Sequence, residues 1–171
     1  MPELPAAGPT DPTTARVRGR TTLTPLQFEL ARALPALWNK ASDAQLTSAQ
    51  QHKKLLDLVV WVAGKQGHAA RARYRLQYWD QKVRKDGQLD LAILDNAGKP
   101  VLLLEVDWTK NAASLAKLQA ASILKIPVMW IVGVPCKSMA EAKLLRAFAN
   151  DAMGKPTGWW LPIFHLQHGW I

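Results

Sequence analysis

Polar and apolar positions change their period along this chain, and each change marks an element. Leu23-Thr24-Pro25-Leu26-Gln27-Phe28 opens a helix. Thr24 serves as N-cap, Pro25 takes the first helical position, Gln27 completes a capping box and Leu23 staples onto Phe28. The helix is expected to end near Leu37. Leu55, Leu58, Val59 and Val62 recur at helical spacing and predict a second helix over 48–63. The period then shortens to two. In Arg71-Ala72-Arg73-Tyr74-Arg75-Leu76-Gln77-Tyr78-Trp79 basic or polar residues alternate with Ala, Tyr and Leu, the pattern of a strand with one cationic face. Asp86-Gly87 is expected to turn the chain into a strand over 89–94, and Asp95-Asn96-Ala97-Gly98-Lys99-Pro100 has the composition of a hairpin connection to a strand over 101–107.

Beyond Asp107 the spacing predicts a helix over 111–125, which must stop before Ile126-Pro127 because a residue preceding proline disfavours the helical region. Val128-Met129-Trp130-Ile131-Val132 is a continuous apolar run, expected as a buried parallel strand. Ser138 and Glu141 form a capping box for a helix ending at Gly154. The aromatic segment Trp159-Trp160-Leu161-Pro162-Ile163-Phe164-His165-Leu166 is expected at a sheet edge because of Pro162. Residues 1–22 are rich in Pro, Thr, Ala and Gly and are expected to be a disordered basic tail, whose Arg16, Arg18 and Arg20 could reach along a phosphate backbone, although simple solvation is the commoner role of such a tail. Residues 23–171 then form one domain. An antiparallel meander followed by a crossover helix into a further strand is an α/β sandwich, a central mixed β-sheet flanked by helices.

Charge sharpens the choice of partner. Lys plus Arg number 22 and Asp plus Glu 13, so 22 − 13 gives +9, which suits a polyanion such as DNA. The single cysteine, Cys136, excludes an intramolecular disulfide and a multi-cysteine zinc site. An apolar leader and a run of membrane-spanning length are both missing from the sequence, so a cytoplasmic location without membrane contact is expected.

The candidate chemistry lies in three carboxylates. Glu105 and Asp107 share one face at the end of an apolar strand, and Asp90 lies in the strand before it. If the three converge, they repel one another until a divalent cation or bound protons neutralise them. Hard oxygen ligands on rigid strands suit Mg²⁺ (or Mn²⁺). Lys82, Arg84 and Lys85 are near enough in sequence to offer Asp90 ordinary salt bridges instead. The four histidines show no ligand-like spacing and are expected in surface or packing roles. Of the tryptophans, Trp61 and Trp130 lie in apolar runs and are expected in the core. Trp79, Trp108, Trp159, Trp160 and Trp170 fall where they can stack on bases or form a protein interface, Trp108 closest to the acids.

Asp90, a turn, Glu105-Val106-Asp107 at a strand end, then a helix and a buried strand resemble the core of the PD-(D/E)XK nuclease superfamily. The Glu-Val-Asp ending and the Thr24-Pro25 helix start resemble the compact branch related to very-short-patch repair endonucleases, over residues 23–134. The resemblance implies a restriction-endonuclease-like sandwich and Mg²⁺-dependent hydrolysis of a DNA phosphodiester, with Asp90 and Glu105 as metal ligands. Asp107 stands where the family has lysine. It can ligate a second metal or orient the attacking water, but it supplies no positive charge. Gln27 stands where related chains often carry a glutamate, and Glu29 is turned about 200° away from it. Trp108-Thr109-Lys110-Asn111 stands where a histidine is expected, with Lys110 as a possible partner for the leaving group. Arg71, Arg73, Arg75, Lys82, Lys85, Trp108 and Lys110 are the expected DNA contacts. Two readings follow, a metal-dependent DNA endonuclease and a nuclease-fold module without turnover that binds DNA or a partner protein. A third is a purely protein-binding factor using the C-terminal Trp-rich segment.

Overall fold

The computed structural model describes residues 16–17, 21–41, 46–80, 82–153 and 161–171. Arg16–Val17 (β1) pairs antiparallel with Thr21–Thr22 (β2) apart from the main sheet. Arg18 and Arg20 of the expected tail, the expected helix end at Gly154, and Trp159 and Trp160 lie outside the described residues.

The main sheet has six strands in chain order: β3 (Ala69–Asp80), β4 (Val83–Leu94), β5 (Pro100–Asp107), β6 (Val128–Val132), β7 (Ile163–His165) and β8 (Gly169–Trp170). The meander β3-β4-β5 is antiparallel, β5-β6-β7 is parallel and β8 returns antiparallel. Helices α1 (Pro25–Ala41) and α2 (Ser48–Lys65) cover one face, α3 (Ala112–Ile123) and α4 (Met139–Ala152) the other. This is the α/β sandwich expected from the pattern. Among the described residues no helix is long and apolar enough to cross a membrane.

The helix starts follow their capping chemistry. Thr24 N donates to Gln27 Oε1 at 2.8 Å and Gln27 N to Thr24 Oγ1 at 3.2 Å, while Gln27 Nε2 reaches the Val128 carbonyl at 2.9 Å. Gln27 thereby completes the expected capping box and is also a buried strut between α1 and β6. Glu29 points away from the sheet and pairs with Arg32. Leu30, Leu34 and Trp38 continue the buried stripe of α1 past its expected end. Thr47 and Gln50 form the capping box of α2. In the 95–100 connection Asp95 Oδ1 accepts from Ala97 N at 3.0 Å and Lys99 N at 2.8 Å, and Gly98 takes φ +76°, where glycine meets no steric cost.

Alternation along β5 and β6 is regular. Leu102, Leu104, Val106, Met129 and Ile131 face α1 and α2, and Leu103, Val128, Trp130 and Val132 face α3 and α4. Strands β3 and β4 break the rule together. Ala70, Leu91 and Ile93 pack on the α1/α2 side, whereas Tyr74, Leu76 and Leu89 pack on the α3 side. Residues an even number of positions apart should share a face, so both strands exchange faces in between. The exchange falls at Arg73 and Asp90, the one missing step in the register from Ala69↔Leu94 to Asp80↔Val83. Arg73 has φ +55°, in the left-handed region.

Three expectations are corrected. Asp86-Gly87 is not a turn but lies inside β4. Gly87 is needed there because Tyr78 lies over it, and a Cβ would stand 2.6 Å from Tyr78 Cε1. Nor is the segment ending at Leu166 an edge, since β7 lies between β6 and β8. Pro162 precedes β7, where it offers its carbonyl to Trp130 N at 2.9 Å and its missing N–H matters little. Finally, β3 has no single cationic face. Arg71, Arg73 and Arg75 are all exposed, but the exchange at Arg73 turns Arg71 and Arg75 to opposite sides.

The left-handed backbone at Arg73 gives a clean test. Arg73→Val should destabilise the fold by about 1–2 kcal/mol in urea unfolding, because a β-branched residue fits that conformation poorly. Arg73→Gly removes the same charge and should be neutral or slightly stabilising.

Candidate functional site

The β4–β5 ladder runs from Leu94 and Pro100 to Leu91↔Leu104 and then opens. At the opening Val106 N donates to Asp90 Oδ2 at 2.9 Å, so a carboxylate takes the place of a strand carbonyl. Asp90 Oδ1 lies 3.5 Å from Nε2 of His52 on α2. On the opposite side of the sheet Glu105, only 2% exposed, lies against the ammonium of Lys117 on α3. That contact is an ion pair only when Glu105 is ionised, and Glu105 Oε1 has no well-formed hydrogen bond. Lys117 Nζ also donates to the Gln88 carbonyl at 2.9 Å, which ties α3 to β4. The Asp90 and Glu105 carboxyl groups lie within hydrogen-bonding reach of each other.

Burial sorts these groups into different protonation states. Burial first, and then the negative charge of Asp90, push the Glu105 carboxyl up to about 8 despite the neighbouring Lys117 ammonium. Burial also acts to raise Asp90, but hydrogen bonds from His52 and from Val106 N–H outweigh it, together with the charge of His52 and a hydrogen bond with Glu105, and hold Asp90 below the usual carboxylate value. His52 is raised, chiefly by its hydrogen bond to Asp90 and against its own burial, with the charges of Asp90 and Asp107 adding to the effect. At neutral pH the pair therefore carries one proton, held on the Glu105 side.

Asp107 shares the Glu105 face but makes different contacts. Its Oδ2 accepts from Trp130 Nε1 at 2.8 Å and its Oδ1 from Asn111 Nδ2 at 3.0 Å. Asn111 Oδ1 in turn caps α3, accepting from Ala113 N at 3.1 Å and Ser114 N at 3.4 Å. Asp107 thus fixes the start of the helix that carries Lys117. Of the three expected carboxylates, Asp90 and Glu105 meet directly while both Asp107 oxygens are engaged beside them. Among the described residues no three His, Cys, Asp or Glu side chains are grouped to hold a metal ion. Mg²⁺ keeps several of its waters and takes one or two carboxylates, so Asp90 and Glu105 suffice in number, but Glu105 holds a proton and lies against the Lys117 ammonium.

The expected DNA contacts are scattered. Arg71, Arg73, Arg75, Lys82 and Lys85 are exposed along the β3–β4 hairpin. Lys110 is exposed, with its ammonium 5.9 Å from the Phe148 ring. Trp108 packs against Trp38 of α1, ring centroids 5.3 Å apart, and lies so close over Gly133 that no Cβ fits there. Its indole Nε1 is buried, so this ring joins α1 to the end of the sheet. Trp130 is fully buried as expected, but Trp61 is 53% exposed, with the Lys65 ammonium over its ring at 5.4 Å. Trp61 falls outside the Leu55, Val59 and Val62 stripe that α2 buries.

His52 and Lys117 are the site residues that the sequence reading missed. Both stand on the buried stripe of their helix. His52 precedes Leu55 by three positions and Val59 by seven; Lys117 follows Ser114 by three and precedes Ala121 by four. A polar residue at core spacing was the available signal. His165 and His168 do pack, onto the Val134 carbonyl at 2.7 Å and the Cys136 carbonyl at 3.1 Å. Comparison of the chain with protein-family models, curated proteins and solved structures yields no match.

The raised Glu105 pKa fixes the sign of a pH effect. The native state holds a proton from about pH 4.5, the ordinary value, up to about 8, so this contribution to stability is full below the lower value and is lost as pH rises through the upper one. His52, raised from 6.5, acts in the same direction. Asp90, lowered from 3.8, contributes stability that is lost only in stronger acid. Urea unfolding across this range should show wild-type stability declining with pH, and Glu105→Gln should flatten most of the decline.

Proposed function

We propose that the chain is a divalent-metal-dependent DNA endonuclease of PD-(D/E)XK type. The observation that carries this reading is the Asp90–Glu105 pair at the opening of the β4–β5 ladder, with the Lys117 ammonium against Glu105. Two acids and a lysine are the chemical set that the motif requires, and here the positive charge comes from α3 rather than from the position of Asp107. Asp90 and Glu105 would hold Mg²⁺ (or Mn²⁺), which when bound supplies a water of lowered pKa and neutralises charge on the phosphate.

The chain's own residues supply the remainder. His52 and the Val106 N–H keep Asp90 ionised and fixed in orientation. Glu105 must release its proton before it can act as a ligand, so affinity for the ion should increase with pH. Lys117, held by the Gln88 carbonyl, presents a cation beside the carboxylates where a phosphate oxygen or the attacking water would lie. Asp107 acts through Asn111 to position α3. The net charge of +9 and the basic β3–β4 hairpin support DNA as the partner. One observation favours the non-catalytic module: only two carboxylates converge, and both oxygens of the third are already engaged.

Cleavage of linear, nicked, mismatched and branched DNA in Mg²⁺ and Mn²⁺ separates the two. Glu105→Gln should abolish metal-dependent cleavage while DNA affinity persists. Lys117→Met should reduce cleavage by about 100-fold or more. If wild type is as inactive as Glu105→Gln on every substrate while both bind DNA, the binding module replaces the enzyme.

A further inference from the structure

Past the exchange at Arg73 the β3–β4 hairpin has one covered face and one open face. Tyr74 and Leu76 pack on the α3 side, and Tyr78 closes over Gly87 beside Lys117. The face turned away from α3 carries, by register, the pairs Arg75↔Gln88, Gln77↔Asp86 and Trp79↔Arg84. Its row of side chains is held in place by hydrogen bonds, since Gln77 Nε2 donates to Asp86 at 3.0 Å and the Arg84 guanidinium donates to Gln77 Oε1. Trp79 is 66% exposed at the far end of the row. A cleft of about 520 Å³, lined by Arg75, Leu76, Gln77, Asp86, Gly87 and Gln88, runs between it and the level of Asp90. Trp79 lies six positions along the strand from Arg73, which stands opposite Asp90, a distance of about 20 Å at the rise of a strand.

Basic side chains interleaved with an exposed indole match one class of ligand. Guanidinium groups take phosphates, and an indole takes the flat face of a base. A base paired inside a duplex offers no such face, whereas an unpaired one does. We infer that the open face of the distal β3–β4 hairpin is a track for an unpaired DNA strand, with Trp79 stacked on a base, Arg75 and Arg84 along the phosphates, and Asp90 at its end. The inference rests on the proposed endonuclease reading for its destination and names the substrate class, DNA with a single-stranded segment. Binding to the track itself requires no metal.

Fluorescence anisotropy in EDTA, with a dye-labelled oligothymidylate of about 16 nucleotides and a duplex of the same length, tests it. Trp79→Ala should lose affinity for the single strand by about tenfold or more, Trp79→Phe should retain most of it, and duplex affinity should hold within about twofold. Arg75→Ala should lower the slope of log affinity against log salt by about one phosphate contact. Trp61→Ala, which removes a comparably exposed indole from α2, should change neither affinity. The track is overturned if Trp79→Ala leaves single-strand affinity unchanged, if it weakens both ligands equally, or if sedimentation shows that it dissociates a dimer, which would make the face a protein interface. Cleavage failing while these bindings hold would refute the enzyme and keep the track; cleavage indifferent to Trp79 would refute the track and keep the enzyme.

Discussion

A β-strand ordinarily has no means of placing a side chain between itself and its neighbour, because alternation directs every residue above or below the sheet. The left-handed turn of the backbone at Arg73 changes that for one residue. As β3 and β4 exchange faces, Asp90 passes through the plane of the sheet and its carboxylate enters the gap where the β4–β5 ladder has opened. There it accepts from Val106 N. It can touch His52 from the α1/α2 layer and Glu105 on the α3 side at once.

The partners of this pair come from rigid elements. Lys117 stands on a helix whose start is fixed by Asn111 and Asp107, and Asp107 is itself held by Trp130 in the core. On the opposite layer Trp38, Trp108 and Gly133 close the end of the sheet. An acid buried to 2% exposure beside a second acid is costly unless protons or cations answer it. The fold supplies a proton on Glu105 and a lysine beside it.

Most of the architecture was legible because local signals agreed with each other. Leu23 through Phe28 announced α1, the apolar run at 128–132 announced a parallel strand, and Asp95 through Pro100 announced a hairpin. What stayed hidden depended on contacts between distant parts of the chain. Gly87 looks like a turn until Tyr78 is seen to need the space above it. Arg73 looks like one of three equivalent arginines, since no local rule marks a left-handed arginine in a strand. The approach of Asp90 to Glu105 was legible from their places on neighbouring strands, but the passage of Asp90 through the plane of the sheet was not. His52 and Lys117 were written in the pattern as polar residues at core spacing, and became meaningful only when α2 and α3 were laid over the open ladder.

Strand β3 is also the outer strand of the sheet, and a long free edge invites pairing with other chains. A docking strand needs an unbroken run of backbone donors and acceptors in one plane. The turn at Arg73 interrupts that run near its middle, and the exposed arginines around it add like charge to any second copy that approaches. At the other end the two-residue strand β8 covers β7 and is too short to act as a template. The irregularity that brings Asp90 to Glu105 therefore also acts as a gatekeeper against self-association, and smoothing it into a regular strand would create a solubility defect as well as displace the acids.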